Sequence, residues 1–331
     1  IYSSDISCVE RATTNVIAEC TDCTSVDLEM PVTGGNYVCT ITNDLQEGSL
    51  IVVKTVINDD GGTAAPADFS IRLGDTLNTS FQGTSDPGTE TSLIAGTSFN
   101  VTEDMGVYTG QYEATLSGDC SGTIDAGVTK TCTITNDDIA PTLTLVKTVV
   151  NDNGGTLVAD DFPAFIGGNA VAWSVSQTLA AGPQLVSETQ QAGYTASRLG
   201  GHCDAGGSVT LQLVENKTCT ITNDDKAPSL TLTKIVVNDN GGTAVATDWN
   251  LAAAGPTPIS GAGGAASGAN FSAGTYTLSE SGGPSGYTAG SWSCTGGTQN
   301  GNQITLALGE SAGCSITNDD DAPSLTLTKM V

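Results

Sequence analysis

Leu230-Thr231-Leu232-Thr233-Lys234 decides how this chain is read, because it recurs. Its counterparts are Leu50-Ile51-Val52-Val53-Lys54, Leu143-Thr144-Leu145-Val146-Lys147 and Leu325-Thr326-Leu327-Thr328-Lys329. In an extended strand successive side chains alternate faces. Leu230, Leu232 and Lys234 therefore share one face, and Thr231 and Thr233 share the other. The leucine face is the core face, so the lysine is carried into the core. A buried ammonium without a partner is too costly to keep, and the rest of the sequence must supply partners.

Two further strands supply them. Each repeat closes on Cys-Thr-Ile-Thr-Asn-Asp or a close variant, with the asparagines at Asn43, Asn136, Asn223 and Asn318. Cys219, Ile221 and Asn223 share a face, so the asparagine points inward. A glutamate is carried in the same way by Phe99, Val101 and Glu103, by Tyr276, Leu278 and Glu280, and by Val186 with Glu188. Ile6, Cys8 and Glu10 follow the same alternation.

The closing asparagines lie 93, 87 and 95 residues apart (43 to 136, 136 to 223, 223 to 318). That is the size of one small β-domain, so the period reads as tandem domains rather than a solenoid. Three full β-sandwich repeats are expected at 47–139, 140–226 and 227–321. Residues 1–46 read as the second half of such a domain, with Glu10 and Asn43 but no opening lysine. Residues 322–331 read as the opening strand of a following domain, or as a donor strand. In the donor case Lys329 would reach Asn43 of a neighbouring chain with Glu10 assisting. The joints hold Ala140-Pro141, Ala227-Pro228 and Ala322-Pro323, and proline restricts itself and the residue before it.

Short alternating strands separated by Gly, Asn, Asp and Pro clusters indicate an all-β chain of tandem Ig-like sandwiches. Basic residues number 10 against 36 acidic ones, a net charge of −26. Binding to nucleic acid through phosphate contacts is therefore not expected. The sequence contains no membrane span and no sorting signal.

The ten cysteines fall by repeat. Cys120 with Cys132, Cys203 with Cys219, and Cys294 with Cys314 each bracket the last two strands. The first unit holds Cys8, Cys20, Cys23 and Cys39, for which three connectivities exist. Pairing Cys23 with Cys39 is preferred because that gap equals the one from Cys203 to Cys219; Cys8 with Cys20 then remains. One pair per domain points to an oxidising, extracellular compartment. The lone Cys-x-x-Cys at 20–23 lacks the second half of a zinc site.

Burial disfavours the charged forms of Lys and Glu alike. A neutral lysine amine is a nucleophile, and a protonated glutamate beside it can polarise an amide carbonyl and shuttle protons. The expected product is a Lys–Asn isopeptide bond with loss of ammonia, made once per domain by groups held in place. That is self-modification, not catalysis on an external substrate. A buried, hydrogen-bonded cluster without a bond is the alternative.

The inward lysine, the glutamate of segments such as Glu280-Ser281-Gly282-Gly283-Pro284-Ser285-Gly286-Tyr287, and the asparagine of the last strand together resemble the Cna protein B-type and SpaA-type pilin domains of bacterial surface proteins. The resemblance implies a prealbumin-like sandwich whose first and last strands run parallel and adjacent. It groups Lys54 with Glu103 and Asn136, Lys147 with Glu188 and Asn223, and Lys234 with Glu280 and Asn318. The Pro-x-Gly-Tyr piece is clear only in the last repeat; Gln191-Ala192-Gly193-Tyr194 keeps part of it, and Met105-Gly106-Val107-Tyr108 departs from it. Paired cysteines are not a typical part of that pattern.

In such a sandwich the turns Asn58–Gly62, Asn151–Gly155 and Asn238–Gly242 would lie near the closing Asn-Asp-Asp segments. Clustered oxygens suit Ca²⁺, which makes Asp59, Asp152 and Asp239 calcium candidates. Plain Asn/Asp/Gly turns that need no cofactor are the preferred reading. His202 is the only histidine and reads as a loop residue, since no catalytic triad is supported. Sequons occur at Asn78, Asn100, Asn216 and Asn270. Gly255–Ala269, rich in Gly and Ala, reads as a flexible insertion or a ligand loop. The expected role is structural: an extracellular stalk, fibre or pilus-like filament on a cell surface, self-assembling or continuing a longer array. An adhesin with its ligand site in the repeat loops or outside this window is the alternative.

Overall fold

The computed structural model describes residues 2–26, 35–74 and 79–330, apart from the side chains of 197 and 198. The sequon at Asn78 lies outside the described residues. By packing, the chain falls into two compact units. One holds residues 1–141 with 179–182 and 212–215, and the other holds 142–178, 183–211 and 216–331.

The alternating segments that end on Lys54, Lys147 and Lys234 are strands, as their pattern dictates, and each full repeat is built around one. The segment at 325–329, with no sheet to join, has no regular secondary structure. The opening strands are Glu47–Ile57, Thr142–Val150 and Ser229–Val237. Each pairs in parallel with the closing strand of its own repeat: Thr129–Asp138, Asn216–Asp225 and Ser311–Asp320. Parallel neighbours need a long crossover, and the whole repeat is that crossover. A short strand flanks the opening strand on its other side, at Thr89–Ile94, Ser176–Thr178 and Gly264–Ala266. Beyond the closing strand lies an antiparallel one that begins on a tyrosine, at Tyr112–Gly118, Tyr194–Gly201 and Tyr287–Ala289.

A second sheet faces the first and carries the glutamate strand: Ser98–Asp104, Gly182–Glu188 and Gly274–Gly282. The space between the sheets is the core. Leu50, Val52, Ile71, Leu73, Phe99, Val101 and Ile134 fill it in the repeat at 47–139. Leu230, Leu232, Leu251, Phe271, Tyr276 and Leu278 fill it at 227–321. The architecture is all-β throughout the described residues, in tandem sandwiches.

Two expectations are corrected here. Gly255–Ala269 is not a free loop. It contributes the strands Ile259–Ala262 and Gly264–Ala266, which extend the two sheets of its repeat. Backbone pairing needs no large side chains, so Gly and Ala serve there. The cysteines of the first unit pair as Cys8–Cys39 and Cys20–Cys23. Cys8 and Cys39 stand directly opposite each other in an antiparallel pair, with Cα atoms 4.0 Å apart, within reach of a disulfide. Register selects this partner, and the equality of gaps was a coincidence. The other three pairs are Cys120–Cys132, Cys203–Cys219 and Cys294–Cys314.

Candidate functional site

The opening strand brings the lysine to the core in every full repeat. Lys54 is opposite Ile134 and Asn136 is opposite Val56, so lysine and asparagine sit on adjacent strands two positions apart. The same offset holds for Lys147 with Asn223 and for Lys234 with Asn318. The glutamate arrives from the facing sheet, where Glu103 is opposite Ile71, Glu188 opposite Ala164 and Glu280 opposite Leu251. The three side chains thus converge across the sandwich.

Lys54 Nζ stands 2.9 Å from Glu103 Oε1. Lys147 Nζ contacts Glu188 Oε2, and Lys234 Nζ lies 2.5 Å from Glu280 Oε2. All three lysine side chains are fully buried, as are Asn136, Asn223 and Asn318. Asn318 Nδ2 donates to Glu280 Oε1 at 2.7 Å. The amides of Asn136 and Asn223 are buried without a hydrogen-bond partner. Leaving such a group unmade costs about 1–3 kcal/mol, so these asparagines are expensive as plain core residues. Burial pushes the Lys54 and Lys147 amines below the ordinary lysine value, against the raising effect of their glutamates. A lowered value favours the neutral amine, the nucleophilic form.

Sequence reasoning missed a fourth member. Phe69, Phe162 and Trp249 lie under the lysines, with Nζ 4.7, 4.3 and 4.8 Å from the ring centroids. Each aromatic follows a short 3₁₀ turn whose aspartate caps it: Asp68 accepts from Ala65 N–H, Asp161 from Val158 N–H and Asp248 from Val245 N–H. The signal was available. In each full repeat an Asp-aromatic pair ends fifteen residues past the core lysine (54 to 69, 147 to 162, 234 to 249).

The acidic turns are anchored from the closing strand. Asp138 accepts from the backbone N–H groups of Asp60 and Gly62, Asp225 from Asp152, Asn153 and Gly155, and Asp320 from Asp239, Asn240 and Gly242. The leading tyrosine of the antiparallel strand completes the anchor. Tyr112 donates to Asn58 Oδ1, Tyr194 to Asn151 Oδ1 and Tyr287 to Asn238 Oδ1. A Cβ on Gly62, Gly155 or Gly242 would come within 2.2, 2.2 or 2.1 Å of that tyrosine oxygen, which is why the turn ends in glycine. The calcium candidates Asp59, Asp152 and Asp239 do gather with Asp137 and Asp138, Asp224 and Asp225, and Asp319 and Asp320. In each group the buried carboxylate already spends its oxygens on backbone N–H groups.

The first unit departs from what Glu10 was expected to do. Its strands Tyr2–Glu10 and Tyr37–Leu45 pair with Ser4 opposite Asn43 and Glu10 opposite Tyr37. Six positions separate them, about 20 Å of strand, so Glu10 cannot assist Asn43. Tyr2 faces Leu45 as Tyr112 faces Asp138 and Tyr194 faces Asp225. Tyr2–Glu10 is therefore the tyrosine strand of its unit, and the glutamate strand precedes that strand in every full repeat. Asn43 is exposed and accepts from Ser4 Oγ. Lys329 is exposed, in a stretch without regular secondary structure. His202 is an exposed residue beside Cys203, with its ring against Thr218.

A family model, SpaA_2, described as a prealbumin-like fold domain, matches residues 46–136, 137–221 and 225–316. No curated protein sequence matches the chain. Among solved structures, the Bacillus anthracis TIE protein is similar at 15% identity and a TM-score of 0.52, over 97% of this chain and 69% of that one. The pilus adhesin SpaC from Lactobacillus rhamnosus GG matches at 13% identity and a TM-score of 0.26, over 98% of this chain. This chain spans 57% of SpaC. Two B repeat units of the collagen binding protein Cna of Staphylococcus aureus match at 15% identity and a TM-score of 0.28, over 96% of this chain and 94% of that one. With three successive repeats matched over more than half its length, the chain belongs to the family of prealbumin-like fold domains.

Proposed function

We propose that this chain is a structural part of an extracellular stalk, fibre or pilus-like filament, built as beads at 47–139, 140–226 and 227–321. Each bead is closed by a Lys–Asn isopeptide bond. The observation that carries this reading is the threefold convergence of a buried lysine, carboxyl and amide from two facing sheets. Lysine Nζ attacks the asparagine Cγ. The glutamate takes a proton from the amine and delivers one to the departing nitrogen, which leaves as ammonia. The bond joins the first and last strands of a bead, the two that a pulling force would separate. The disulfides and the acidic surface suit life outside the cell.

The reaction turns over once on the chain's own residues, so no external substrate or cofactor is involved. Among the described residues no helix is long and apolar enough to cross a membrane. The partner is a further repeat of the same kind. Residues 322–329 repeat 227–234 one for one, so Lys329 takes the place of Lys234 wherever that strand pairs. Asn43 likewise takes the place of Asn318 in its own closing strand.

Intact mass after disulfide reduction tests the bonds. The expected deficit is one ammonia for each of the three complete repeats, and Glu280→Ala should restore one of them. A mass equal to the plain sequence would refute the bonds.

A further inference from the structure

One joint between repeats lies wholly within the second compact unit, and backbone groups hold it. Asn153, the middle residue of the Asn151–Gly155 turn, accepts from Ala273 N–H at 2.8 Å. Its side chain donates to Phe271 O and Ala269 O at 3.3 and 3.4 Å, and the residue is buried. Gly154 follows at φ +95, where a Cβ would meet Ala273 O at 3.0 Å and N at 3.1 Å. The connecting residue Lys226 donates its N–H to Gly193 O and accepts from Gly309 N–H, both at 2.8 Å.

The first compact unit holds the same bonds at matching positions. Asp60 O accepts from Ala181 N–H at 2.7 Å, and a Cβ on Gly61 would lie 2.8 Å from Ala181 O. Ile139 donates to Gln111 O and accepts from Val214 N–H, both at 3.0 Å. The third copy of the arrangement is open. Asp321 donates to Gly286 O at 2.8 Å, as Lys226 and Ile139 do to their own repeats. Asn240 and Asp321 are exposed. Gly241 has φ +97, but a Cβ there would meet nothing within 4 Å.

We propose that Asn240, Gly241 and the Asp321 carbonyl form a docking surface for a further repeat of this same fold. The incoming repeat seats one loop N–H, the counterpart of Ala273, on Asn240 O. It seats a second, the counterpart of Gly309, on Asp321 O. The two filled copies set the chemistry, and the repeat of 227–234 at 322–329 supplies the strand that leads such a domain in. The proposal rests on the array reading and is independent of the isopeptide bonds. Its consequence is a stiff joint: the incoming repeat is held by hydrogen bonds that any sequence can make, while glycine keeps the approach clear.

Amide hydrogen exchange on the whole chain is the test. Gly154→Ala and Gly241→Ala carry the same backbone strain, since both glycines sit at nearly equal positive φ. Gly154→Ala should speed exchange of the Ala273 amide about tenfold, the loss of roughly one hydrogen bond, and Gly241→Ala should leave it unchanged. In a chain lengthened by a copy of residues 235–321 after Lys329, the copied counterparts of Ala273 and Gly309 should become protected. Gly241→Ala should then remove that protection. A copied repeat that folds, with its closing strand protected, while those two amides exchange like an open loop overturns the docking surface alone. A copied repeat that does not fold overturns the array reading with it.

Discussion

At the scale of single residues, the lysines show how far alternation reaches. Lys54 is fully buried because Leu50 and Val52 on the same face are buried, and no reading of hydropathy alone would place an ammonium there. Val214 shows the opposite case. It lies at φ +68, where a β-branched side chain is strained, yet its N–H is required by Ile139 O. Gly309 holds the matching place at φ +71 with the matching bond to Lys226. Val214→Gly should therefore stabilise the repeat at 140–226 by about 1 kcal/mol, the relief of strain less the entropy of a glycine. Native-state hydrogen exchange in its closing strand reads this, and slower exchange is expected. Unchanged or faster exchange would mean that valine is at ease there.

Among the elements, the turn between the opening strand and the 3₁₀ segment is held from two sides. Tyr194 donates to Asn151 Oδ1 and accepts from Leu157 N–H at 3.1 Å, while Asp225 holds the turn from the other side. Tyr194→Phe leaves the Leu157 N–H and the Asn151 carbonyl in want of partners. The expected cost is about 1–3 kcal/mol to that repeat, seen as a lower unfolding midpoint with faster exchange at 151–157. A variant as stable as the parent would mean that water replaces the hydroxyl. The same elements explain the misreading of Glu10. Its distance from Asn43 along the chain equals that from Glu103 to Asn136, but a strand is identified by its pairing. Opposite Tyr37, Glu10 lies at the far end of the sheet from Asn43.

Over the whole molecule, the three acidic turns should answer acid differently. Burial opposes ionisation of Asp320, but the N–H groups of Gly242, Asn240 and Asp239 outweigh it and hold its carboxyl below the ordinary value of 3.8. A depressed folded value contributes stability above the unfolded value, and that contribution is lost as pH falls through the folded one. The turn at 238–242 should therefore loosen only below pH 3.8. Burial raises Asp60, with Asp59, Asp138 and Asp137 adding to it, and burial with Asp224 and Asp225 raises Asp152. For these the sign reverses: the fold favours the protonated form, so the turns at 58–62 and 151–155 should tighten as pH falls from the raised values toward 3.8. Exchange rates of the three turns, followed across that range, check both signs. Loosening of all three in step would count against the assignment.

The repeat length and the inward lysine, glutamate and asparagine of each full repeat were legible in the sequence. Alternation with period two fixes a side chain's face from its own segment alone, and three copies made the pattern plain. What only the tertiary structure decided were relations between segments. Cys8 meets Cys39 and not Cys20 because antiparallel register sets them opposite. Phe69, Phe162 and Trp249 cover the lysines because a capped turn returns the chain beneath the opening strand. Gly264–Ala266 became a strand because the edge of Ser229–Val237 had backbone groups to pair. Local geometry is written in the order of residues, whereas pairing depends on which edges and carbonyls the folded chain leaves open.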